Sequence, residues 1–301
     1  MKMHALSGSG LTVSALSMGT ANFGSKISQE QAFAHMDRYM ELGGNLLDTA
    51  HVYSDWLPGE RSRSEKIIGR WLKSRHPDNM VICTKGGHFS LDTPQISRVT
   101  PEELKRDLEE SLDSLQIDCI DLYMLHRDNA ALPVDEIMDC LDAFVRSGHV
   151  RYLACSNWTT ERIAQANTYA KACGKSHFIV NELMWSMAEI NRSGIPEDYV
   201  VMDEKALCMG EASGMSFMCY SSMAHGYFTR RYAGLPVSEQ LRRTYDNPQN
   251  EKRFAQLRSL PDRAAVTRES LQFFSRQNVT AIPIVSFSSL EQLEECMSAF
   301  A

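Results

Sequence analysis

Short apolar runs alternate eight times with longer amphipathic stretches along this chain of 301 residues. Most of the runs are continuous rather than alternating, which is typical of strands buried on both faces of a parallel sheet. The runs are Val13–Met18, Asn45–Asp48, Met80–Thr84, Ile117–Leu125, Val150–Cys155, Phe178–Asn181, Met215–Tyr220 and Thr280–Val285. Strand and helix repeated in this way predict an α/β fold, a (β/α)8 TIM barrel, with residues 1–301 in a single domain.

Helix start signals lie between the apolar runs. Ser28, with Gln31 three residues later, is typical of a capping box, and Thr100 followed by Pro101 is typical of a capped first turn. Further helices are predicted at Ser64–Ser74, Val134–Ser147, Thr159–Cys173, Pro196–Gly210, Asp262–Gln277 and Leu290–Phe300. The alternative is a doubly wound sheet, which usually has fewer strands and a Gly-rich phosphate loop after the first.

Three segments outside this repeat are also informative. Residues Met3–Gly10 contain the turn signal Ser7-Gly8-Ser9-Gly10 and predict a short N-terminal hairpin at the bottom of the barrel. The connections Gly86–Val99, after the third run, and Ser221–Leu260, after the seventh, are long. Long connections in a compact domain are usually functional, so we expect both to border the site.

Charge and cysteine usage exclude several classes of protein. A formal net charge of −7 and a pI near 5.7 leave no basic surface for nucleic acid. No apolar run reaches the length of a membrane span, and the N-terminus lacks the apolar region of a signal peptide. The eight cysteines are scattered without a C-x-x-C pair, which disfavours zinc and disulfides. We therefore expect a cytoplasmic protein that acts on a small molecule.

Four titratable residues follow consecutive predicted strands. Asp48 and Tyr53 follow the second strand, Lys85 the third and His126 the fourth. Active sites of such barrels lie at the carboxyl ends of the strands, so the four side chains should converge on one rim. Taken singly, each has an ordinary structural explanation: a turn or cap for Asp48, packing for Tyr53, a solvated lysine and a structural histidine. Their joint placement favours catalysis.

The chemistry of these four residue types is that of proton transfer to a carbonyl group. A free tyrosine has a pKa of about 10, and a neighbouring lysine ammonium would lower it and stabilise the phenolate. Asp48 would hold Lys85 charged, and a neutral His126 could position the carbonyl oxygen. The set contains no metal site and no nucleophile elbow. A reductant is missing, so a hydride cofactor is expected.

These motifs resemble the aldo-keto reductase family. The resemblance covers nearly the whole chain and includes Met18–Gly24, Leu46–Tyr53, Thr84–Gly86, Asp118–His126 and Ser156–Trp158. It implies that Asp48, Tyr53, Lys85 and His126 are the catalytic tetrad. It also implies that NADPH lies across the barrel mouth and transfers hydride to the carbonyl carbon of a small-molecule substrate.

The resemblance further implies a set of residues that contact the cofactor. At the nicotinamide end these are Gly19, Thr20, Ala21, Ser156, Asn157, Glu182 and Tyr220, with Glu182 standing where the family usually has Gln. The pyrophosphate segment corresponds to Ser222, Met223, His225 and Arg231. The adenine end corresponds to Ser286, Ser288, Gln292 and Glu295. The segment Ser286–Cys296 contains no Lys or Arg for a 2′-phosphate, so the preference for NADP(H) should be weak and NADH use is possible.

Substrate selection is expected from Trp56, His88, Phe89, Arg127 and the long loop after the seventh strand. An apolar wall with several hydrogen-bond donors suits a sugar-like aldehyde or ketone. The chain ends directly after its last predicted helix, which predicts an open pocket without a C-terminal specificity segment. Two alternatives remain open at this point: a slow cofactor-binding regulatory subunit resembling potassium-channel β subunits, and a metal-dependent barrel hydrolase or isomerase.

Overall fold

A computed structural model describes residues 1–301. Eight parallel strands form a closed barrel with helices on the outside. The barrel strands are β3 (Ser17–Gly19), β4 (Leu46–Asp48), β5 (Val81–Gly86), β6 (Ile120–Leu125), β7 (Val150–Ser156), β8 (Phe178–Met184), β9 (Ser216–Tyr220) and β10 (Ala281–Val285). They pair in sequence order, and β10 pairs with β3 to close the ring. The predicted (β/α)8 TIM barrel is confirmed.

Eleven α-helices accompany the strands. They are α1 (Gln29–Glu41), α2 (Arg63–Arg75), α3 (Pro101–Leu115), α4 (Val134–Arg146), α5 (Thr160–Ala172), α6 (Glu204–Ser213), α7 (Tyr227–Tyr232), α8 (Glu239–Tyr245), α9 (Pro248–Leu257), α10 (Arg263–Ser275) and α11 (Leu290–Met297). The capping box of Ser28 and Gln31 is present, and Thr100 accepts a hydrogen bond from the amide of Glu103. No helix is long and apolar enough to span a bilayer.

The first apolar run, Val13–Met18, is not one strand. Its beginning belongs to β2 (Thr12–Ser14), which pairs antiparallel with β1 (Met3–Ala5), and only its end enters the barrel as β3. The predicted hairpin is present but extends beyond Gly10, because Ser14 pairs with Met3. A continuous apolar run cannot reveal such a division, since both halves are buried.

Two other segments differ from the prediction. The helix expected at Pro196–Gly210 begins only at Glu204, where Asp203 caps it; before it, Val200 and Met202 bond to Met184 at the end of β8. The long connection after β9 is not a bare loop, since it contains α7, α8 and α9. Helix α9 is capped by Asn247 with Pro248 in its first turn, a start signal that the sequence does contain.

The apolar core has two main parts. The larger lies between the barrel and its helices, and the smaller fills the barrel interior. Leu6, Leu11 and Val13 of the hairpin belong to the interior part, together with strand residues such as Leu46 and Val81. The hairpin therefore plugs the amino-terminal end of the barrel, and ligands can reach the interior only from the carboxyl ends of the strands.

Candidate active site

Lys85 is the centre of a buried charged cluster at the carboxyl ends of the strands. Successive side chains of a strand point to opposite faces, so Thr84 contacts Glu65 on helix α2 while Lys85 points into the barrel. Its ammonium forms a short ion pair with Asp48 and donates to the main-chain oxygen of Thr49 at 3.0 Å. It also lies 3.2 Å from the hydroxyl of Tyr53. The structure therefore brings together Asp48, Lys85 and Tyr53, as the sequence predicted.

Glu182 adds a second carboxylate to the same ammonium. It lies on β8, and its Oε2 is 3.4 Å from Lys85 Nζ, yet this oxygen has no aligned hydrogen-bond donor. The other oxygen, Oε1, is 3.4 Å from the hydroxyl of Ser156. Burial and the neighbouring Asp48 raise the pKa of Glu182 to about 8, against the effect of Lys85. Glu182 is thus a neutral acid at pH 7, with a proton that it can donate.

The protonation states of Lys85 and Tyr53 follow from burial and charge together. Burial disfavours the ammonium, but Asp48 and Glu182 outweigh it and hold the pKa of Lys85 well above its usual value. For Tyr53, burial raises the pKa above its ordinary value, and the attraction of Lys85 only partly opposes this rise. The sequence predicted a lowered pKa, which is wrong for this structure because desolvation is the larger effect. Tyr53 is therefore a protonated phenol at neutral pH.

His126 is the fourth member of the predicted set. Its ring lies edge-on to Tyr53, with centroids 5.8 Å apart, and its buried Nδ1 has no hydrogen-bond partner. Burial lowers its pKa well below the usual value, and the nearby His88 and Lys85 add to this effect. The pKa of His88 is also lowered, to about 4, mainly by burial. Both imidazoles are therefore neutral.

Two cavities meet at Tyr53 and Tyr220. The first is a groove of about 460 Å³ along the ends of β9, β10 and helix α11, and the second is a pocket of about 290 Å³ over the ends of β4 to β8. Asp48 lines the groove, whereas His126 lines the pocket. Ligands bound in the two cavities would therefore meet beside Tyr53.

The groove contains most of the residues that the resemblance assigned to a cofactor. Those that line it are Gly19, Ala21, Tyr220, Ser222, Met223, His225, Ser286, Gln292 and Glu295. Asn157 and Glu182 line the pocket instead. Gly19 has no room for a side chain, because a Cβ there would lie 2.8 Å from Ile284 and 2.9 Å from Ser286.

Four residues of that predicted set do not line either cavity. Thr20 is buried and bonds to Asp48 and Ser64, Ser156 is buried behind Asn157, and Ser288 bonds to Gln292. The guanidinium of Arg231 donates to both carboxylate oxygens of Glu251 and lies 4.1 Å from the ring centroid of Phe254. Its role is to hold α7 against α9, and its neighbour Arg230 is the arginine that lines the groove.

Both cavities are also lined by residues that the sequence motifs did not reveal. Arg230 and Arg263 line the groove, and Arg263 bonds to Glu295 at 2.6 Å. Arg263 is the first residue of α10. It supplies a cation at the adenine end of the groove, where the segment Ser286–Cys296 has none. In the pocket the additional side chains are Leu91 and Tyr199. Only their positions after strand ends β5 and β8 could have suggested them.

The predicted substrate residues Trp56, His88 and Arg127 all line the pocket, whereas Phe89 packs against His88 with ring centroids 4.1 Å apart and the planes inclined at 43°. Strained backbone borders both cavities: Asn157, Ser221 and His225 have φ of 57°, 52° and 50°. Non-glycine residues in this region are costly and cluster at functional sites. No group of three or more His, Cys, Asp or Glu side chains is arranged to hold a metal ion.

Comparison with known proteins identifies the family. The model of the aldo/keto reductase family matches residues 15–301. The chain belongs to the aldo/keto reductase family. The family consists of NAD(P)H-dependent oxidoreductases that use NADP(H). The groove suits such a cofactor, because it combines an aromatic ring, Tyr220, at the catalytic end with two arginines and several hydroxyl groups farther along.

Individual relatives are distant. The chain is 30% identical over 229 residues to the aryl-alcohol dehydrogenase [NADP(+)] of Phanerodontia chrysosporium, covering 68% of this chain and 58% of that protein. It is 28% identical over 304 residues to norsolorinic acid reductase stcV of Emericella nidulans, covering 95% and 73%. The aldo-keto reductase AKR11C1 from Bacillus halodurans (holo form) has the same fold, with a TM-score of 0.72, 24% identity and coverage of 99% and 90%.

Proposed function

We propose that this aldo-keto reductase reduces an aromatic aldehyde or ketone to the alcohol, with NADPH as hydride donor and Tyr53 as proton donor. The observation that carries the proposal is the contact of Lys85 with both Asp48 and Tyr53 at the junction of two cavities. A phenol at that junction can reach ligands in both. NADPH is favoured over NADH because Arg230 and Arg263 line the groove and can pair with an additional phosphate.

Each residue of the cluster has a distinct task in this proposal. When bound, the nicotinamide cofactor supplies a hydride to the carbonyl carbon. Tyr53 gives its proton to the carbonyl oxygen, and the ammonium of Lys85 stabilises the phenolate that forms. Asp48 fixes the position of the ammonium. His126, which is neutral, can donate one ring N–H to the carbonyl oxygen and so orient it toward Tyr53.

The protonated state of Tyr53 favours reduction as the working direction near neutral pH. Reduction needs a proton donor, whereas alcohol oxidation needs the phenolate as a base. Burial raises the pKa of Tyr53, so the phenolate is scarce before the reaction begins. The Lys85 charge then acts mainly on the transition state, where negative charge develops on the phenol oxygen.

The pocket favours an aromatic substrate over a sugar-like one. Beside Trp56, it is lined by Tyr199, Tyr220 and Leu91, so a flat ring would meet apolar faces on more than one side. The relative from Phanerodontia chrysosporium is named an aryl-alcohol dehydrogenase, which supports the same class. The relatives named as reductases and dehydrogenases also favour an enzyme over a slow regulatory subunit.

The test is NADPH oxidation against matched panels of aromatic and sugar aldehydes, in wild type and Tyr53→Phe. We expect aromatic aldehydes to have the higher kcat/KM, and Tyr53→Phe to lose on the order of 10²–10⁴-fold in kcat because the general acid is gone. Quenching of protein fluorescence by NADPH should remain, since the substitution removes only one hydroxyl group from the groove wall. Full activity in Tyr53→Phe would refute the mechanism, and a preference for sugars would refute the substrate class.

A further inference from the structure

Arg127 differs from Arg162, another partly buried arginine, in how its guanidinium is used. It follows β6, and its Nη1 donates to the main-chain oxygen of His126 at 3.0 Å. Its Nε lies 3.0 Å from Asp198 but has no aligned acceptor. By contrast, Arg162 bonds to both oxygens of Asp128 and to two main-chain oxygens. Arg127 therefore has more donors without an acceptor than Arg162, whose Nε and Nη2 are both engaged.

Two aromatic rings fix the position of this guanidinium. Its centre lies 5.9 Å from the ring of Phe89 and 5.4 Å from the ring of Tyr199. The side chain is only 15% exposed, yet it lines the pocket beside His88 and His126. A cation held in this way is oriented before a ligand arrives, so binding costs little side-chain entropy.

Arg127 is also the only arginine or lysine that lines the pocket. The two histidines there are neutral, since burial lowers the pKa of each. Its one carboxylate neighbour, Asp198, is 48% exposed, and ion pairs with such exposed partners are weak. An anion inside the pocket can therefore replace Asp198 on the guanidinium and use the donors that Asp198 leaves free.

We propose that Arg127 is a binding site for a carboxylate of the substrate. The inference rests on the proposed function and makes the substrate class narrower: an aromatic aldehyde or ketone that carries an acid group on its ring. The carbonyl group lies at Tyr53 and His126, the ring lies along the apolar walls, and the carboxylate forms a fork-like pair with Arg127. Asp198 closes this subsite when it is empty.

The test compares 4-carboxybenzaldehyde with its methyl ester, which has nearly the same shape but no charge. In wild type we expect the acid to have the higher kcat/KM, through a lower KM that rises with added NaCl. Arg127→Gln should lower the acid-to-ester ratio of kcat/KM by about 10-fold or more, as expected for a lost charge-assisted pair. Arg127→Lys should recover part of the ratio, because it keeps the charge but not the fork.

Asp198→Asn tests the same subsite with Arg127 in place, in case substitution of Arg127 unfolds the pocket. Removing the competing carboxylate should raise the acid-to-ester ratio by about 3-fold or more. An unchanged ratio in Asp198→Asn, or equal losses for acid and ester in Arg127→Gln, would overturn the proposal. Reduction of neutral aromatic aldehydes alone would overturn this inference but not the proposed function, whereas no reduction of any carbonyl compound would overturn both.

Discussion

Two clusters of buried charge lie on opposite sides of strand β5, and they begin at consecutive residues. Lys85 points inward to Asp48, Glu182 and Tyr53, while Thr84 points outward to Glu65 on helix α2. Both clusters contain carboxylates that are almost completely shielded from solvent. They differ in access, because only the inner one borders cavities.

The outer cluster has a structural role. Asp107 accepts from the amide of Gly87 at 2.8 Å and pairs with Arg98, so it ties both ends of the loop after β5 to helix α3. His51 bonds to Glu110 at 2.7 Å and lies 3.8 Å from Asp107. The comparison shows that burial of charge alone does not identify a catalytic site. Unpaired polar atoms do not identify one either, since Glu65 and Glu182 each have one; the inner cluster differs in that it borders the two cavities.

The largest expected effect is that of Lys85→Met. Without the ammonium, the phenolate of Tyr53 loses its stabilising charge, and Asp48 and Glu182 face each other unpaired. We expect kcat for NADPH-dependent reduction to fall on the order of 10³-fold, or about 4 kcal/mol in transition-state energy. The matched control is Thr84→Val on the other face of the strand, which should keep kcat within about threefold while losing about 1–3 kcal/mol of stability.

If both variants lost activity equally, the two faces of β5 would not be functionally distinct. Thermal unfolding and fluorescence quenching by NADPH, measured on each variant, would separate loss of chemistry from loss of fold.

A smaller effect is expected for Glu182→Gln, and it appears in the pH profile. In wild type, the pKa of Glu182 is about 8, so its ionisation above this pH places a second negative charge on Lys85. That charge weakens the support for the Tyr53 phenolate, and kcat for reduction should decline as pH rises through about 8. Glu182→Gln keeps a neutral side chain at every pH, so its decline should begin at higher pH. An identical alkaline limb in both proteins would contradict this assignment.

The smallest effect is expected in the outer cluster and concerns stability. Burial raises the pKa of Glu65 to about 6 from an ordinary value of 4.5, against the attraction of His51. A carboxyl group with a raised folded-state pKa contributes stability below its unfolded pKa and loses it as pH rises through the folded value. Wild type should therefore lose about 2 kcal/mol from this group in total as pH rises from well below 4.5 to well above 6.

Glu65→Gln should not show that loss, so the difference in unfolding free energy between the two proteins should change across this range. Denaturant unfolding at pH 4.5, 5.5 and 7 measures it. Reductase activity should respond to Glu182→Gln and not to Glu65→Gln, and the reverse result would exchange the roles of the two clusters.

The sequence was sufficient to predict the barrel and the convergence of Asp48, Tyr53 and Lys85. Eight apolar runs define the strands, and residues directly after a strand end, such as Asp48 and Lys85, are placed at the rim by the fold itself. What could not be predicted depends on contacts across the barrel or between distant elements. The contact of Glu182 with Lys85 joins β8 to β5, three strands away, and Arg263 reaches the groove from the start of α10.

The predicted pKa of Tyr53 was wrong for a related reason. A motif indicates which charges are near a side chain, but not how much solvent the surrounding walls remove. Local signals also failed where an apolar run serves two elements, as in Val13–Met18, and where one arginine of a pair faces away from the groove, as Arg231 does.

The hairpin that plugs the amino-terminal end of the barrel has a kinetic consequence. Because Leu6 and Leu11 fill that end, both ligands must arrive and depart through the same opening. Tyr53 and Tyr220 line both the groove and the pocket, so a ligand that enters or leaves one cavity passes beside the ligand in the other. Because the base of the barrel is closed, we expect a ligand bound in one cavity to restrict the exchange of the ligand in the other.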